Sequence, residues 1–561
     1  MFGYCWKTVV LDTIRVYFTY TSMDWIGLDF GSARIVSSYE LGEKIYLNHL
    51  SQDDNLFPVI YVESNMIGDE VIPFSILDPK NVLSHFQLLL GMQYNETETQ
   101  KMKQYIPATL INDGNDAYAY EIQRGNKKLP LPVASGIEWL FREVMNLIVR
   151  ADKIDVDNLQ GIAISVPLAF KNVQKCAVRE AALAAGFMNV RILNDTHAAL
   201  LSQQHKIKPD EKRAICICCD QYYCGASFFN LEAEGEWKAV QHKYLDTIRF
   251  HDVIQRLAQT LTDQLWRQIE HDWPNSGSKD QISPAVFFKV SRLTSRGTKF
   301  SCSNDVAIRY NGRGYAVQLE WNNLQIALKE FANRLASEVT LFSSQQTSVD
   351  KCAIICIGDC FNYSEVVEAI TNAFPTKNII TGNTASLASG ALFSRTHSQI
   401  NDEEDLAVEH HEVHMKNKTL YPIGFILSNI DKSKSDHHFT TLLQGGVELP
   451  ITSENAITKK FYFPEDDQYC MQFYEKINDN DTESYRPFKE YIIRRDADHP
   501  MSSMDSIFCI QCTMDEEGMF TPKMTWKDNG APVEAYDVSE SEANLKRRYD
   551  AASLLIDIRN N

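Results

Sequence analysis

Residues 161–201 read GIAISVPLAFKNVQKCAVREAALAAGFMNVRILNDTHAALL: a strand, a helix, a second strand and a second helix. The apolar, β-branched run 161–166 is stopped by Pro167, whose ring removes a ladder donor and holds the preceding residue extended. A helix is expected over 171–185, with Val173, Ala177, Ala181 and Ala184 on one stripe and Gly186 as the left-handed residue that ends it. The second strand, 189–193, runs into Asn194-Asp195-Thr196. These small polar side chains are placed to cap a helix starting near Ala198 and to present a carboxylate beside its amides. In open α/β sheets, ligands collect at strand ends of this kind.

The whole chain sets the bounds. At 561 residues it holds two or three domains, and its 44% apolar share is ordinary for globular protein. A net charge of −19 argues against a direct electrostatic grip on nucleic acid or anionic membrane, because phosphate binding is dominated by Lys and Arg. Thirteen cysteines without framework spacing are expected to be reduced thiols of a cytosolic protein, with no disulfide set. No run approaches the ~18 apolar residues of a membrane span. Residues 1–22 carry Asp12 and Arg15 inside their apolar part and make a poor signal peptide. They are expected to be an extension or a wrongly assigned start, since Met23 directly precedes a strand. The Asn-x-Ser/Thr triplets at Asn95, Asn362, Asn417 and Asn480 read as chance.

Within 161–201, Val166-Pro167, Ala185-Gly186, Arg191-Ile192, Asn194 and Ala198-Ala199-Leu200-Leu201 follow one another as they do in the heat-shock protein 70 chaperone family, which the chain resembles. Glu180-Ala181-Ala182 and Ala185-Gly186-Phe187 look closest to the lid-poor branch that forms the ribosome-associated complex. The resemblance implies an α/β, actin-like, two-lobed nucleotide-binding domain over 23–395, with ATP, and Mg2+ beside it, as its ligand.

The strand 25–30, the turn Gly31-Ser32 and the strand 35–39 stand where the family opens with its first phosphate loop. Gly27, Asp29, Gly31 and Ser32 match that loop, Ala33 replaces a hydroxyl and Arg34 adds a cation. Residues 81–91, NVLSHFQLLLG, resemble the family helix that carries a lysine near the γ-phosphate, and that lysine falls on Gln87. An amide hydrogen-bonds but brings no charge, so a large electrostatic contribution is missing. Residues 215–229, ICICCDQYYCGASFF, are expected to form a strand pair whose second phosphate loop carries Asp220, Gln221 and Tyr222 in place of glycines. An acid and two bulky residues oppose phosphate by charge and volume. Cys216, Cys218, Cys219 and Cys224 read as buried packing, not metal ligands, since alternation sends Cys218 and Cys219 to opposite faces. Farther on, Leu245 and Phe250 fit the family pattern ahead of a long amphipathic helix over 252–272. A strand ending at Gly358, a helix over 364–373 and a last helix holding Ala388, Gly390 and Ala391 resemble the family's closing segment. Asp359 and Asn362 replace a glycine and the arginine that stacks on adenine. The family's roles then fall on Asp195 and the degraded position Gln87 for catalysis, and on Asp29, Gly31, Ser32, Asp220, Gly358 and Gly390 for the nucleotide, with no metal ligand.

Residues 396–418 form a polar connector, in which only Leu406-Ala407-Val408 resembles the family's aliphatic linker. His410 and His414 are read there as solvated. Residues 419–537 alternate short strands and turns and are expected to be a β-sandwich similar to the family's peptide-binding domain. Cys509 and Cys512, three apart on a strand, face opposite ways and do not chelate. Residues 538–561 leave room for one helix over 542–558 and no helical lid.

The expected function is therefore a nucleotide-binding chaperone or co-chaperone with weak or absent ATP hydrolysis. It would assist unfolded or nascent polypeptide with a J-domain co-chaperone at the ribosome in the cytosol, and bind neither nucleic acid nor membrane. The alternatives are an active ATP-driven foldase, a nucleotide-free scaffold, and a sugar or acetate kinase on the same fold, against which the C-terminal strands speak.

Overall fold

Two sheets of matching topology face each other across a cleft. The computed structural model describes residues 25–394 apart from 42–43, 48–49, 51–54, 115–116, 126, 153–158, 160, 233–234, 276, 296–304, 347–350 and 384, then 415–416 and most of 422–537. The first half contains β1 (Trp25–Phe30), β2 (Ile35–Leu41), β3 (Lys44–Leu47), α1 (Val133–Asp152), β4 (Gly161–Val166), α2 (Asn172–Ala185), β5 (Asn189–Asn194) and α3 (Asp195–Gln203). Its sheet runs β5-β4-β1-β2-β3, with β1, β4 and β5 parallel and the β1–β2–β3 meander antiparallel. The second half contains β6 (Arg213–Cys219), β7 (Cys224–Leu231), β8 (Trp237–Tyr244), α4 (Phe250–Asp272), α5 (Ser283–Ser295), α6 (Trp321–Ser344), β9 (Cys352–Ile357), α7 (Ser364–Ala373), β10 (Asn378–Thr381) and α8 (Ser386–Phe393). The order β10-β9-β6-β7-β8 repeats the first sheet strand for strand, again with two parallel pairs and an antiparallel meander.

The strand and helix pattern of 161–201 is confirmed, with two refinements. β4 is buried along its whole length, as a parallel strand covered on both faces should be. α2 ends at Gly186, φ 109°, but its buried face is Gln174, Val178, Ala181, Ala182 and Ala185, whereas Ala184 faces solvent. The buried face is turned from the expected alanine stripe, with Gln174 held against the 90–91 segment by donating to the Leu90 carbonyl at 3.0 Å. α3 starts at Asp195, three residues before Ala198, and no side-chain bond from Asn194 caps it.

Helices α3 and α8 pack against each other where the two halves join. A Cβ on Gly390 would lie 1.9 Å from the Ala198 carbonyl oxygen, so only glycine permits this crossing. Residues 81–91, expected as one helix, are a 3-10 turn (Pro79–Asn81), a two-residue strand (Val82–Leu83) and one helical turn (Phe86–Leu89). The break is at His85, whose φ of 61° is left-handed. Its ring is buried among Tyr105, Phe287 and Phe288, with centroids 5.2, 5.6 and 5.7 Å away.

Of the connector, Met415–Lys416 is described. It forms β11, a parallel strand on the outer edge of β8 opposite Trp237 and Lys238. Leu406-Ala407-Val408, His410 and His414 lie outside the described residues. Eight further strands follow: β12 (Ile423–Asn429), β13 (Thr440–Leu443), β14 (Ile457–Tyr462), β15 (Gln468–Asp479), β16 (Thr482–Arg494), β17 (Ile507–Met514), β18 (Phe520–Trp526) and β19 (Glu534–Asp537). They form a five-stranded sheet, β13-β12-β15-β16-β19, and a three-stranded sheet, β14-β17-β18. Phe425, Met471, Phe473 and Ile493 of the first and Ile510, Met524 and Trp526 of the second share one core. Each such side chain contributes about 1.5–3 kcal/mol by burial. The helix expected over 542–558 lies outside the described residues. Among the described residues no helix is long and apolar enough to cross a membrane.

Candidate functional site

The ends of β1, β4, β6 and β9 point into the cleft, as the parallel topology requires. Asp29 is the last residue but one of β1, and the turn that carries Gly31, Ser32 and Arg34 leads into β2. Asp195 stands at the first position of α3. Asp220 begins the turn from β6 to β7, and Gly358 and Asp359 follow β9. These residues line one recess of about 510 Å3 counted out to open solvent.

Of the residues singled out in the sequence, Asp29, Gly31, Ser32, Asp195, Asp220 and Gly358 meet at this recess. Gly390 does not line it, and its role is the α3–α8 crossing. Gly358 combines both roles: its φ is 136°, and a Cβ there would lie 1.9 Å from the Cys219 carbonyl oxygen.

The turn from β6 to β7 is built differently from expectation. Cys219 and Cys224 are disulfide-bonded, which corrects the reading of all thiols as reduced. They are cross-strand partners at the narrow end of the hairpin, so the register places their side chains together; spacing alone did not show it. Cys216 and Cys218 are free and buried, as expected.

Asp220 Oδ2 accepts from the Ser32 N–H at 3.0 Å and from its hydroxyl at 2.7 Å. Ser32 Oγ also contacts Gln87 Oε1, and the Gln87 backbone carbonyl accepts from Tyr223 OH at 3.1 Å. Arg34 pairs with Asp359 at 2.7 Å across the cleft, with both side chains largely buried. Arg292 on α5 makes a bidentate pair with the half-exposed Asp69, both bonds 2.7 Å, bonds Asn55 at 2.9 Å and stacks over Phe57. Asn362 donates to the Ser295 carbonyl at 3.5 Å, facing α5. Neither the place of Arg292 nor the role of Arg34 is legible in the sequence. An acid two hundred residues or more away is the partner of each, and no local pattern reveals such a pair.

Burial dominates the electrostatics. Asp29 is pushed up to about 8, by desolvation first and by Asp220 and Asp359 nearby, with Arg34 opposing. Asp220 is raised to about 6 by burial, against the hydrogen bonds from Ser32 and Gln221. Asp195 is raised well above the usual carboxylate range by burial, although its Oδ1 accepts from Thr196 N–H at 2.7 Å and Leu168 N–H at 3.1 Å. Asp359 is raised by burial, with Arg34 and Arg292 opposing. Four acids therefore surround a recess whose nearby guanidinium groups already hold carboxylates. A nucleoside triphosphate would find the donors of Ser32 already taken by Asp220 and both guanidinium groups already paired with carboxylates, so the residues as arranged do not fit its phosphates. Among the described residues no group of three or more His, Cys, Asp or Glu side chains is arranged to hold a metal ion.

Comparison with known proteins agrees with the fold of the first half. Residues 26–218 match the family described as Hsp70 protein. The chain is 29% identical over 201 residues to the chaperone protein HscA homolog of Acinetobacter baylyi, a match covering 34% of this chain and 30% of that protein. It is 20% identical over 494 residues to heat shock 70 kDa protein 14 of Homo sapiens, covering 84% of this chain and 90% of that protein. The Mus musculus protein of the same name is 21% identical over 466 residues, 79% of this chain and 84% of its own length. The chain thus spans under a third of the length of the bacterial relatives it matches and most of the mammalian ones. It carries an Hsp70 family domain and is homologous to Hsp70-like proteins.

Proposed function

We propose that the chain is an Hsp70-type chaperone subunit with weak or absent ATP hydrolysis, which holds unfolded or nascent polypeptide and works with a J-domain co-chaperone at the ribosome in the cytosol. Gln87 carries this reading. It is buried and bonded to Ser32, at the position where the resemblance places a lysine. Phosphoryl transfer rests on positioning and on stabilising the charge of the transition state, and an amide supplies no charge for that work. Arg34 and Arg292 do not replace the lysine, since each is paired with a carboxylate.

The client half of the proposal is a β-sandwich over 419–537. Its support is the pair of sheets with a common core, whose strands offer extended polypeptide the hydrogen bonding of an added strand. The test uses the full chain in two assays: single-turnover ATP hydrolysis with and without a J-domain, and suppression of aggregation of an unfolded substrate without nucleotide. Expected are hydrolysis at the buffer rate and clear suppression. J-domain-stimulated turnover would replace this reading with the active foldase. Absence of suppression, together with failure to sediment with ribosomes, would overturn it.

A further inference from the structure

The geometry points to Asp220 as a resident oxyanion: its carboxylate fills the anion seat of the Gly31–Ser32 turn and closes the cleft against phosphoryl ligands. The inference rests on reading the cleft as nucleotide-type and concerns how that site is regulated.

A backbone N–H and a hydroxyl on one turn, converging on one oxygen, are the donors that a phosphate oxygen takes. Here both donors of Ser32 converge on Oδ2 of Asp220. The hydroxyl has one proton and sits against two oxygens, Asp220 Oδ2 and Gln87 Oε1. Gln87 Nε2, on a side chain 2% exposed, is buried without a partner among the described residues. Turning that amide lets Nε2 donate to Ser32 Oγ and leaves the hydroxyl proton for Asp220. A chain Gln87→Ser32→Asp220 then gives each of these contacts one proton, and it ends on the carboxylate.

The seat is locked from the other side as well. The disulfide between Cys219 and Cys224 brackets the turn, and Asp220 N–H donates to the Tyr223 carbonyl at 2.8 Å. Gln221 accepts from the Ser291 hydroxyl at 2.9 Å, and its carbonyl accepts from His251 N–H at 2.7 Å. A carboxylate fixed in this way binds intramolecularly. It needs no loss of translational freedom, so a free oxyanion competes with an effective concentration of millimolar order or more. Any oxyanion that entered would also face Asp29 and Asp359.

The test is calorimetric titration of inorganic pyrophosphate into the full chain and into Asp220→Ser and Asp220→Asn variants, each checked for folding by thermal melt. Expected is no saturable binding to the parent, a gain of at least about tenfold for Asp220→Ser, equivalent to about 1.4 kcal/mol, and a smaller gain for Asp220→Asn, which keeps the shape and an acceptor. If Asp220→Ser does not fold, Asp220→Asn carries the test. Equal affinity in parent and variants would overturn the inference, and so would folded variants that bind no pyrophosphate. Failure of the chaperone reading shows separately, in the aggregation assay on the parent chain, in which Asp220 is unchanged.

Discussion

Asn172, at the start of α2, donates its backbone N–H at 3.2 Å and its side-chain amide at 2.7 Å to the carboxylate of Glu475 on β15, 303 residues away in sequence. Glu475 is 3% exposed, so the bond ties the cleft half to the C-terminal sheets from inside a buried contact. Glu475→Ala leaves the buried Asn172 amide without an acceptor, at a cost of about 1–3 kcal/mol. A double-mutant cycle with Asn172→Ala by chemical denaturation should give a coupling of about 0.5–3 kcal/mol. Additive losses would show that the bond does not join the two parts.

The buried acids set a pH dependence. Folding raises Asp29 from 3.8 to about 8 and Asp220 from 3.8 to about 6, so the folded chain takes up protons within these windows. Stability is highest below the unfolded value and falls as pH rises through the folded one, by about 1.4 kcal/mol per unit for each proton. Asp29→Asn removes the larger effect. Its melting temperature should exceed the parent's at pH 8, and the difference should shrink toward pH 4. A difference independent of pH would place the ionisation of Asp29 elsewhere.

Arg34 and Asp359 form a largely buried pair across the cleft. Removing one partner strands a charge, so Arg34→Ala should cost about 3–5 kcal/mol, whereas replacing both with apolar residues of similar volume should be close to neutral. Comparable losses from the single and the double replacement would contradict the pairing.

The disulfide closes a short loop, and chain entropy assigns such a bond about 2 kcal/mol. Cys219→Ser with Cys224→Ser should lower stability by that order and loosen the turn that carries Asp220. Alkylation of the denatured, unreduced chain should spare these two thiols, and peptide mass spectrometry reads that directly. Full alkylation of both would remove the staple from the account.

What the sequence made legible was local. β4, α2 and β5 were readable because Pro167 and Gly186 punctuate them and because a fully buried parallel strand is uniformly apolar. Asp29, Asp195 and Gly358 fell at the cleft because strand ends meet there. The rest depended on contacts between distant residues. His85 takes a left-handed conformation inside an aromatic cage drawn from other segments, and so broke a helix that 81–91 alone implies. Strand register brought Cys219 to Cys224, and Met415–Lys416 joined a sheet edge more than 170 residues upstream. From the sequence alone, Asp220 is an obstacle to phosphate. Its bond to Ser32, 188 residues away, shows that it also satisfies the donors that phosphate would use.

The donors of the cleft are engaged by the protein's own side chains, Ser32 by Asp220 and Arg34 by Asp359. Hydrogen exchange at the amides of residues 31–35, with and without excess Mg-ATP, tests it most directly. The account predicts slow exchange at Ser32 in the ligand-free chain and no further slowing with Mg-ATP. Fast exchange that nucleotide then suppresses would contradict it.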